Sequence, residues 1–370
     1  MSGEVRTRLE IDLTALAANA SALQTYVGPS TGLIAVVKDN AYGHGLVPSA
    51  TSLARAGAAL LAVSAVSEAR VLEKALPQAT VLLLNDLDPE LVDLVGSEVH
   101  LTSTSPQLLP RLHDRAVALG TSVPVHLKID TGMNRLGFPA TELVEVLRFA
   151  TSHKGLAVVG LCTHLPDYGT VAARAQLEIF SEVVRTARSI LGPALRYVHA
   201  ANSGVLLHHP EAHHTHVRPG IALYGIEPGG GSRLGLRPVM SLCAPIVQVR
   251  PVAAGRSIGY RRAFTADHDL LVGVVPIGYG HGFLRSFGPG GTALVGGRLV
   301  PVVGDISMDM LCLDLTTLPD PRPGQEAVLF GRSEDPSLRV EALALRSGLI
   351  PYEIMTGMSA QLPRCYHGAA

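Results

Sequence analysis

LIAVVKDNAYGHG, residues 33–45, decides the fold. Its first five residues are apolar and largely β-branched, which reads as a buried strand. That strand runs directly into Lys38 and a polar segment. An open doubly wound sheet would place a glycine-rich turn after its first strand, and Lys38 and Asp39 stand there instead. Seven further segments have the same texture: LLAVSA ending at Ala65, TVLLLN at Asn85, EVHLTS at Ser103, VHLKID at Asp130, VVGLCTH at His164, YVHAAN at Asn202, and HVRPGIALYG over 216–225. Helix-like stretches lie between them, such as DPELVDLV, SPQLLPRLHDRAVALG and AARAQLEIFSEVVRTARSILG. Several begin at Ser or Asp and end at Gly, as helix boundaries do. Alternating β and α units imply a parallel sheet with right-handed crossovers. Eight units over roughly 200 residues suit a closed (β/α)₈ barrel of the TIM type.

Beyond residue 235 the texture changes. SLCAPIVQVRPV, DLLVGVVPIGYG, GRLVPVVGDISMDMLCLDL and EAVLFG are strand-like runs separated by Gly, Pro and Asp, and SLRVEALALRSG is the main helical stretch left. The expected fold class is therefore α/β: an N-terminal (β/α)₈ barrel over 1–235, then a mainly β domain over 236–370. The Gly- and Pro-rich loop EPGGGSRLGLRP, 227–238, marks the boundary, and the first ten or so residues are expected to pair with the C-terminal domain.

Composition narrows the function. The 370 residues are 47% hydrophobic and carry a net charge of −1, so a large core is available and a polyanion-binding surface is not. Nucleic acid is excluded as a partner. Cys162, Cys243, Cys312 and Cys365 form no CxxC pair, against a zinc knuckle or a disulfide scaffold. MSGEVRTRLEIDL has no apolar signal region, and no run of 18 apolar residues occurs. A cytoplasmic protein without a membrane partner is expected. HHPEAHHTH supplies His208, His209, His213, His214 and His216 at no spacing that fixes a metal geometry. We read it as a solvated loop without metal.

In a barrel enzyme the working residues stand at the carboxyl ends of the strands. There the sequence places Lys38, Asp130, His164, Asn202, Ser203 and Arg218. A lysine closing so apolar a run is costly unless it is exposed, paired or chemically used. ANSG after strand seven and RPGI after strand eight fall where barrels often cradle phosphate through backbone N–H groups. A rim lysine near a phosphate cradle suggests a Schiff base to pyridoxal 5'-phosphate.

The segment AVVKDNAYGHG resembles the cofactor-lysine motif of the alanine racemases. The likeness continues in order through HLKIDTGMNRLGF, GLCTH, HAANSG, VRPGIALYGIEP, SIGY, VGVVPIGYGHG, GDISMDM and PYEIMTG. The resemblance implies a pyridoxal-phosphate-dependent amino-acid racemase that interconverts L- and D-alanine and supplies D-alanine for peptidoglycan. It implies Lys38 as cofactor lysine and base on one face of the substrate, and Tyr260 as acid/base on the other. Tyr260 would come from the partner subunit of a homodimer. Two bases on opposite faces are what inversion at one carbon requires.

The same resemblance sets Arg218 against the pyridine nitrogen, with His164 supporting it. Tyr42, Ser203, Gly220, Ile221 and Tyr352 would hold the phosphate beside Asn202. Arg135 and the main chain of Met308 would receive the substrate carboxylate, and Tyr279 would line a narrow entrance. Lys128 matches a lysine that is carbamylated in many members. The chain departs from the family pattern at Asp39, at Arg261 and Arg262, at His281, at Asp305 where arginine is common, and at Gln361, although Arg364 remains. None of these removes a catalytic group. Rival readings are a racemase for serine or basic amino acids and a non-catalytic carrier of the same cofactor. Carriers lack a β domain. A two-domain decarboxylase would need a C-terminal cysteine motif that is absent.

Overall fold

A computed structural model describes residues 6–230 and 233–368. Residues 231–232 of the expected boundary loop, and the first five of the N-terminal stretch read for a signal, lie outside it. The chain forms two compact units. Of the described residues, one comprises 16–41, 46–230 and 233–236, the other 6–15, 42–45 and 237–368.

The second of these units is built on a sheet of nine strands among the described residues. It joins β1 (Arg8–Asp12) to strands from the C-terminal third of the chain. β1 runs antiparallel to Met240–Pro245 and parallel to Arg364–His367. Arg8–Asp12 thus lies between two strands of the C-terminal third. One reason is visible in the sequence: RLEID alternates, and its inward Leu9 and Ile11 are fully buried. Its Glu10 is also buried, ion-paired to Arg8 and Arg332.

The barrel strands follow as β2 (Gly32–Val36), β3 (Leu60–Val63), β4 (Val81–Leu83), β5 (Val99–Ser103), β6 (Val123–Asp130), a two-residue β7 (Phe138–Pro139) that pairs only with β6, β8 (Leu156–Cys162), β9 (Tyr197–His199) and β10 (His216–Val217). Without β7 there are eight, all parallel, in the order β10-β2-β3-β4-β5-β6-β8-β9. These are the eight segments expected from sequence. Between β9 and β10 the ring is tied by a side chain. The Thr215 hydroxyl accepts from the Val198 N–H at 2.7 Å and donates to the Val198 carbonyl at 3.2 Å.

Three local expectations are corrected. DPELVDLV is a 3₁₀ segment, Pro89–Leu94, because Pro89 and the Asp88 side-chain cap on Glu90 N–H tighten its first turn. IALYG continues as turns rather than strand. The histidine-rich segment is not a solvated loop. His209 is buried with Nε2 on the Tyr168 carbonyl at 2.8 Å, His213 bonds the Leu206 carbonyl at 2.8 Å, and His208 stacks on Tyr168. These imidazoles present flat apolar faces and a polar tip, and they pack as such. Among the described residues no helix is long and apolar enough to cross a membrane.

Candidate active site

Lys38 follows β2 and opens an unusual turn. Asp39, Asn40, Ala41 and Tyr42 all have φ between 52° and 55°, a single left-handed turn built without glycine. Each such residue costs about 1–2 kcal/mol, so other contacts must hold it. The Asn40 N–H donates to Glu68 Oε1 at 2.8 Å, and Asn40 Oδ1 accepts from the Leu46 N–H at 2.8 Å. Lys38 Nζ stays part-exposed, 3.7 Å from Asp39.

Arg218, just beyond β10, is buried. Its Nη1 donates to His199 Nδ1 at 2.7 Å and to the His199 carbonyl at 2.6 Å. Its Nη2 meets the carbonyls of Thr163 at 2.7 Å and Ala200 at 3.2 Å, and more distantly His164 Nδ1 at 3.4 Å. The four Nη hydrogens are thus engaged. Among the described residues Nε–H has no protein acceptor and is the donor left for a ligand. Burial pulls Arg218 down from its ordinary value, yet guanidinium keeps its charge in proteins.

His164 reports the field at these strand ends. Burial is the main cause holding it down to about 3, and Arg218, Lys128, Arg135 and Lys38 all push the same way, with no carboxylate opposing them. Four cations act on His164 and no carboxylate does, although Asp39 pairs with Lys38 and Asp130 acts on Lys128. Such a place favours an anion. Burial likewise lowers the Lys128 amine, with Arg218 and Arg135 adding to it and Cys162 and Asp130 opposing.

Ser203 stands at the start of the helix Ser203–His208, which Asn202 caps through Oδ1 to the N–H groups of Gly204 and Val205, both at 3.1 Å. Ser203 Oγ accepts from the Gly220 N–H at 3.0 Å and the Ala222 N–H at 3.2 Å. Both lone pairs are taken, so its O–H can only donate outward. Between those two donors lies Ile221, 1% exposed, whose N–H meets no acceptor among the described residues. Buried orphan donors are rare. A hydroxyl that must donate, an orphan N–H, an open Nε–H and four cations fit a phosphorylated, ring-nitrogen-bearing cofactor such as pyridoxal phosphate.

The other predicted residues lie in the β unit. Tyr42 and Tyr352 bring their rings to 5.9 Å. Gly43 beside them needs its missing side chain, since a Cβ would fall 2.3 Å from the Met355 carbonyl oxygen. Arg364 fastens the same turn through Nε to the Gly43 carbonyl at 2.9 Å. Tyr279 and Met308 are neighbours, the Tyr279 N–H donating to the Ser307 carbonyl at 3.1 Å and the Gly280 N–H to the Met308 carbonyl at 2.9 Å. Tyr260 is 70% exposed on a tight hairpin between Ser257–Ile258 and Phe264–Thr265. Two departures explain one another: Asp305 Oδ2 accepts from Arg261 Nε at 3.1 Å and Nη2 at 2.9 Å. His281 Nδ1 accepts from the Gly278 N–H at 3.3 Å. Nothing in the structure explains Gln361. His199 and Thr163 are contributors that sequence reasoning missed. The polar residue inside YVHAAN was the available signal for His199.

The fold is that of a (β/α)₈ barrel followed by a β unit, the class to which many barrel enzymes belong, with cationic groups at the strand ends. The comparisons with known proteins are specific. Residues 11–228 match the family profile described as alanine racemase, N-terminal domain, and 239–366 match alanine racemase, C-terminal domain. An alanine racemase of Synechocystis sp. is 34% identical over 366 residues, covering 97% of this chain and 98% of the relative. The alanine racemase of D-cycloserine-producing Streptomyces lavendulae superposes with a TM-score of 0.92 at 31% identity, over 100% of this chain and 99% of that one. The Bartonella henselae alanine racemase with covalently bound pyridoxal phosphate gives 0.86 at 29% identity, over 98% and 99%. The chain belongs to the alanine racemase family and is an isomerase of that class.

Proposed function

We propose that this chain interconverts L- and D-alanine with pyridoxal 5'-phosphate carried on Lys38. The observation that carries the reading is the set of donors left open at the strand ends: Arg218 Nε–H, the buried Ile221 N–H and the outward Ser203 hydroxyl. When bound, the cofactor supplies an electron sink that acidifies the Cα–H of an attached amino acid. Ser203, Gly220, Ile221, Tyr42 and Tyr352, with Asn202 fixing the Ser203 backbone, would hold its phosphate. Arg218 Nε would donate to the ring nitrogen. A donor-only partner such as Arg218 would leave that nitrogen unprotonated and so would disfavour side reactions such as transamination.

Lys38 Nζ takes or returns the proton on one face and Tyr260 Oη on the other. We assign Arg135 and the Met308 main chain to the substrate carboxylate, and Tyr279 to the approach. Burial lowers the Lys128 amine, which eases the loss of a proton that carbamate formation with carbon dioxide requires; that anion would steady Arg135. In this reading residues 1–235 form the cofactor-binding domain. Residues 236–370 contribute Tyr260 to the partner in a homodimer, and the product serves peptidoglycan synthesis in the cytoplasm.

Purified protein is expected to be yellow and to racemise alanine in preference to serine, lysine and arginine. Lys38→Ala should remove both colour and turnover, and Tyr260→Phe should keep the colour and lose turnover. Full racemisation by Tyr260→Phe would overturn the two-base assignment. Turnover of basic amino acids at the alanine rate would favour a broad-specificity racemase, and colour without turnover a carrier.

A further inference from the structure

We propose that His126 and His100 are positioning residues for Arg218: with His199 they form a one-directional chain of neutral imidazoles that anchors the guanidinium from inside the barrel. Arg218 Nη1 lies 2.7 Å from His199 Nδ1, His199 Nε2 lies 2.8 Å from His126 Nδ1, and His126 Nε2 lies 3.0 Å from His100 Nδ1. All three histidines are buried.

Guanidinium has only donors. His199 must therefore present a bare Nδ1 and carry its proton on Nε2. His126 must then accept at Nδ1 and donate from Nε2, which leaves His100 accepting at Nδ1. One end fixes three tautomers. The strands set the path. Thr102 of β5 is level with His126 of β6, and Cys162 of β8 is level with His199 of β9. His126 itself is level with Gly160. Each step therefore climbs about two residues, always on the same strand face. Gly160 makes the room: a Cβ there would sit 2.2 Å from His126 Nδ1.

The surroundings hold the chain neutral. The charged and titratable groups acting on these rings are Arg196 and Arg218, His214 and His216, and one another, with no carboxylate among them. Tyr197 adds its ring at 5.3 Å from His100 and 5.2 Å from His126. Every acceptor nitrogen within the chain is occupied, so an added proton must break a link. The consequence for Arg218 is direct. Without an acceptor at position 126 the buried His199 Nε2–H has no partner, and that cost competes with the Arg218 bond by favouring the tautomer whose Nδ1–H opposes the guanidinium N–H. Arg218 then loses the grip that leaves Nε free to meet a ligand.

The consequence for catalysis rests on the cofactor reading given above; the tautomers do not. The test uses holoenzyme labelled with [¹⁵N]histidine, in which two-bond ¹H–¹⁵N spectra show which ring nitrogen is protonated. The wild type should show three neutral Nε2–H imidazoles unchanged across neutral pH. His126→Phe should abolish the pure Nε2–H signature of His199 and lower kcat in both directions by roughly tenfold or more, with the KM for alanine little moved. His126→Asn, which keeps an acceptor and a donor, should restore most of the loss. Should His126→Phe not fold, His100→Phe cuts only the last link and is read on the His126 tautomer. An Nδ1–H or imidazolium form of any of the three in the wild type overturns the proposal, as does His126→Phe with unchanged spectra and kcat. A protein with the three tautomers but no visible absorption would refute the cofactor reading and leave the chain standing.

Discussion

Gly160→Ala tests the packing that makes the barrel interior polar. An added Cβ would fall 2.2 Å from His126 Nδ1, 2.3 Å from its Cγ and 2.6 Å from its Cε1. The ring cannot yield freely, because it is fully buried and bonded to His199 on one side and His100 on the other. Overpacking of this kind costs about 1–3 kcal/mol. Displacing the ring also gives up two buried hydrogen bonds at about 1 kcal/mol each. The sum is roughly 3–5 kcal/mol, which at ~2–4 °C per kcal/mol lowers the melting temperature by ~6–20 °C. Gly169→Ala is the control, since its Cβ would meet nothing nearer than Asp167 Oδ1 at 3.8 Å; it should stay within ~0.5 kcal/mol. Thermal unfolding followed by circular dichroism compares the two. In a His126→Ala background the cost of Gly160→Ala should shrink, because the atoms it strikes are gone. Equal melting temperatures for the Gly160 and Gly169 variants would refute the reasoning.

Acid should destabilise the protein early. Free imidazole titrates near 6.5, whereas burial first, with Arg196 adding, holds His100 at about 4, and burial alone holds His216 at about 4. His164 is held at about 3. Between those values the unfolded chain binds more protons, so this stability is complete above pH ~6.5 and drains as pH falls, at up to ~1.4 kcal/mol per pH unit for each such histidine. Urea midpoints should drop between about pH 6.5 and 5, before carboxylates titrate; a flat profile there would contradict the burial argument. Asn202→Ala removes the cap on Gly204 and Val205 and a 3.1 Å bond to the Leu165 carbonyl, and should cost about 1–2 kcal/mol by urea denaturation. Asn40→Ala should be less stable than Asn40→Gly by about 1–2 kcal/mol, because both lose the bond to Leu46 N–H and only alanine bears the left-handed penalty. Ser203→Ala should weaken pyridoxal-phosphate retention, measured by dialysis and absorbance, since Gly220 and Ala222 lose their acceptor.

How much of this was legible beforehand follows from the range of the forces involved. The eight parallel strands were readable because a strand buried on both faces must be apolar throughout, as LIAVV and LLAV are. Lys38, His164 and Arg218 were readable because polar groups closing such runs stand out. The left-handed turn at Asp39–Tyr42 was not. Nothing in DNAY demands positive φ, and its support comes from Glu68 and Leu46, which only the fold brings near. The histidine chain was hidden for the same reason. His100, His126 and His199 lie on three strands far apart in sequence, and each alone reads as an ordinary strand residue. HHPEAHHTH misled in the opposite direction, because its density suggested solvation while carbonyls and rings supplied by tertiary contacts absorb it.

Asp305 and Arg261 show how a site can depart from its family's pattern without losing its groups. Arg261 sits at φ 60°, beside Tyr260, where a side chain is strained. Strain of about 1–3 kcal/mol persists only where the surroundings over-determine it. Here Asp305 takes two hydrogen bonds from the Arg261 guanidinium, with Arg285 Nη2 3.6 Å away as a second cation. An arginine at 305 would repel both. The acid at 305 and the base at 261 therefore belong together, and the exposed hairpin that presents Tyr260 is fixed by charge where a glycine would have relied on backbone freedom.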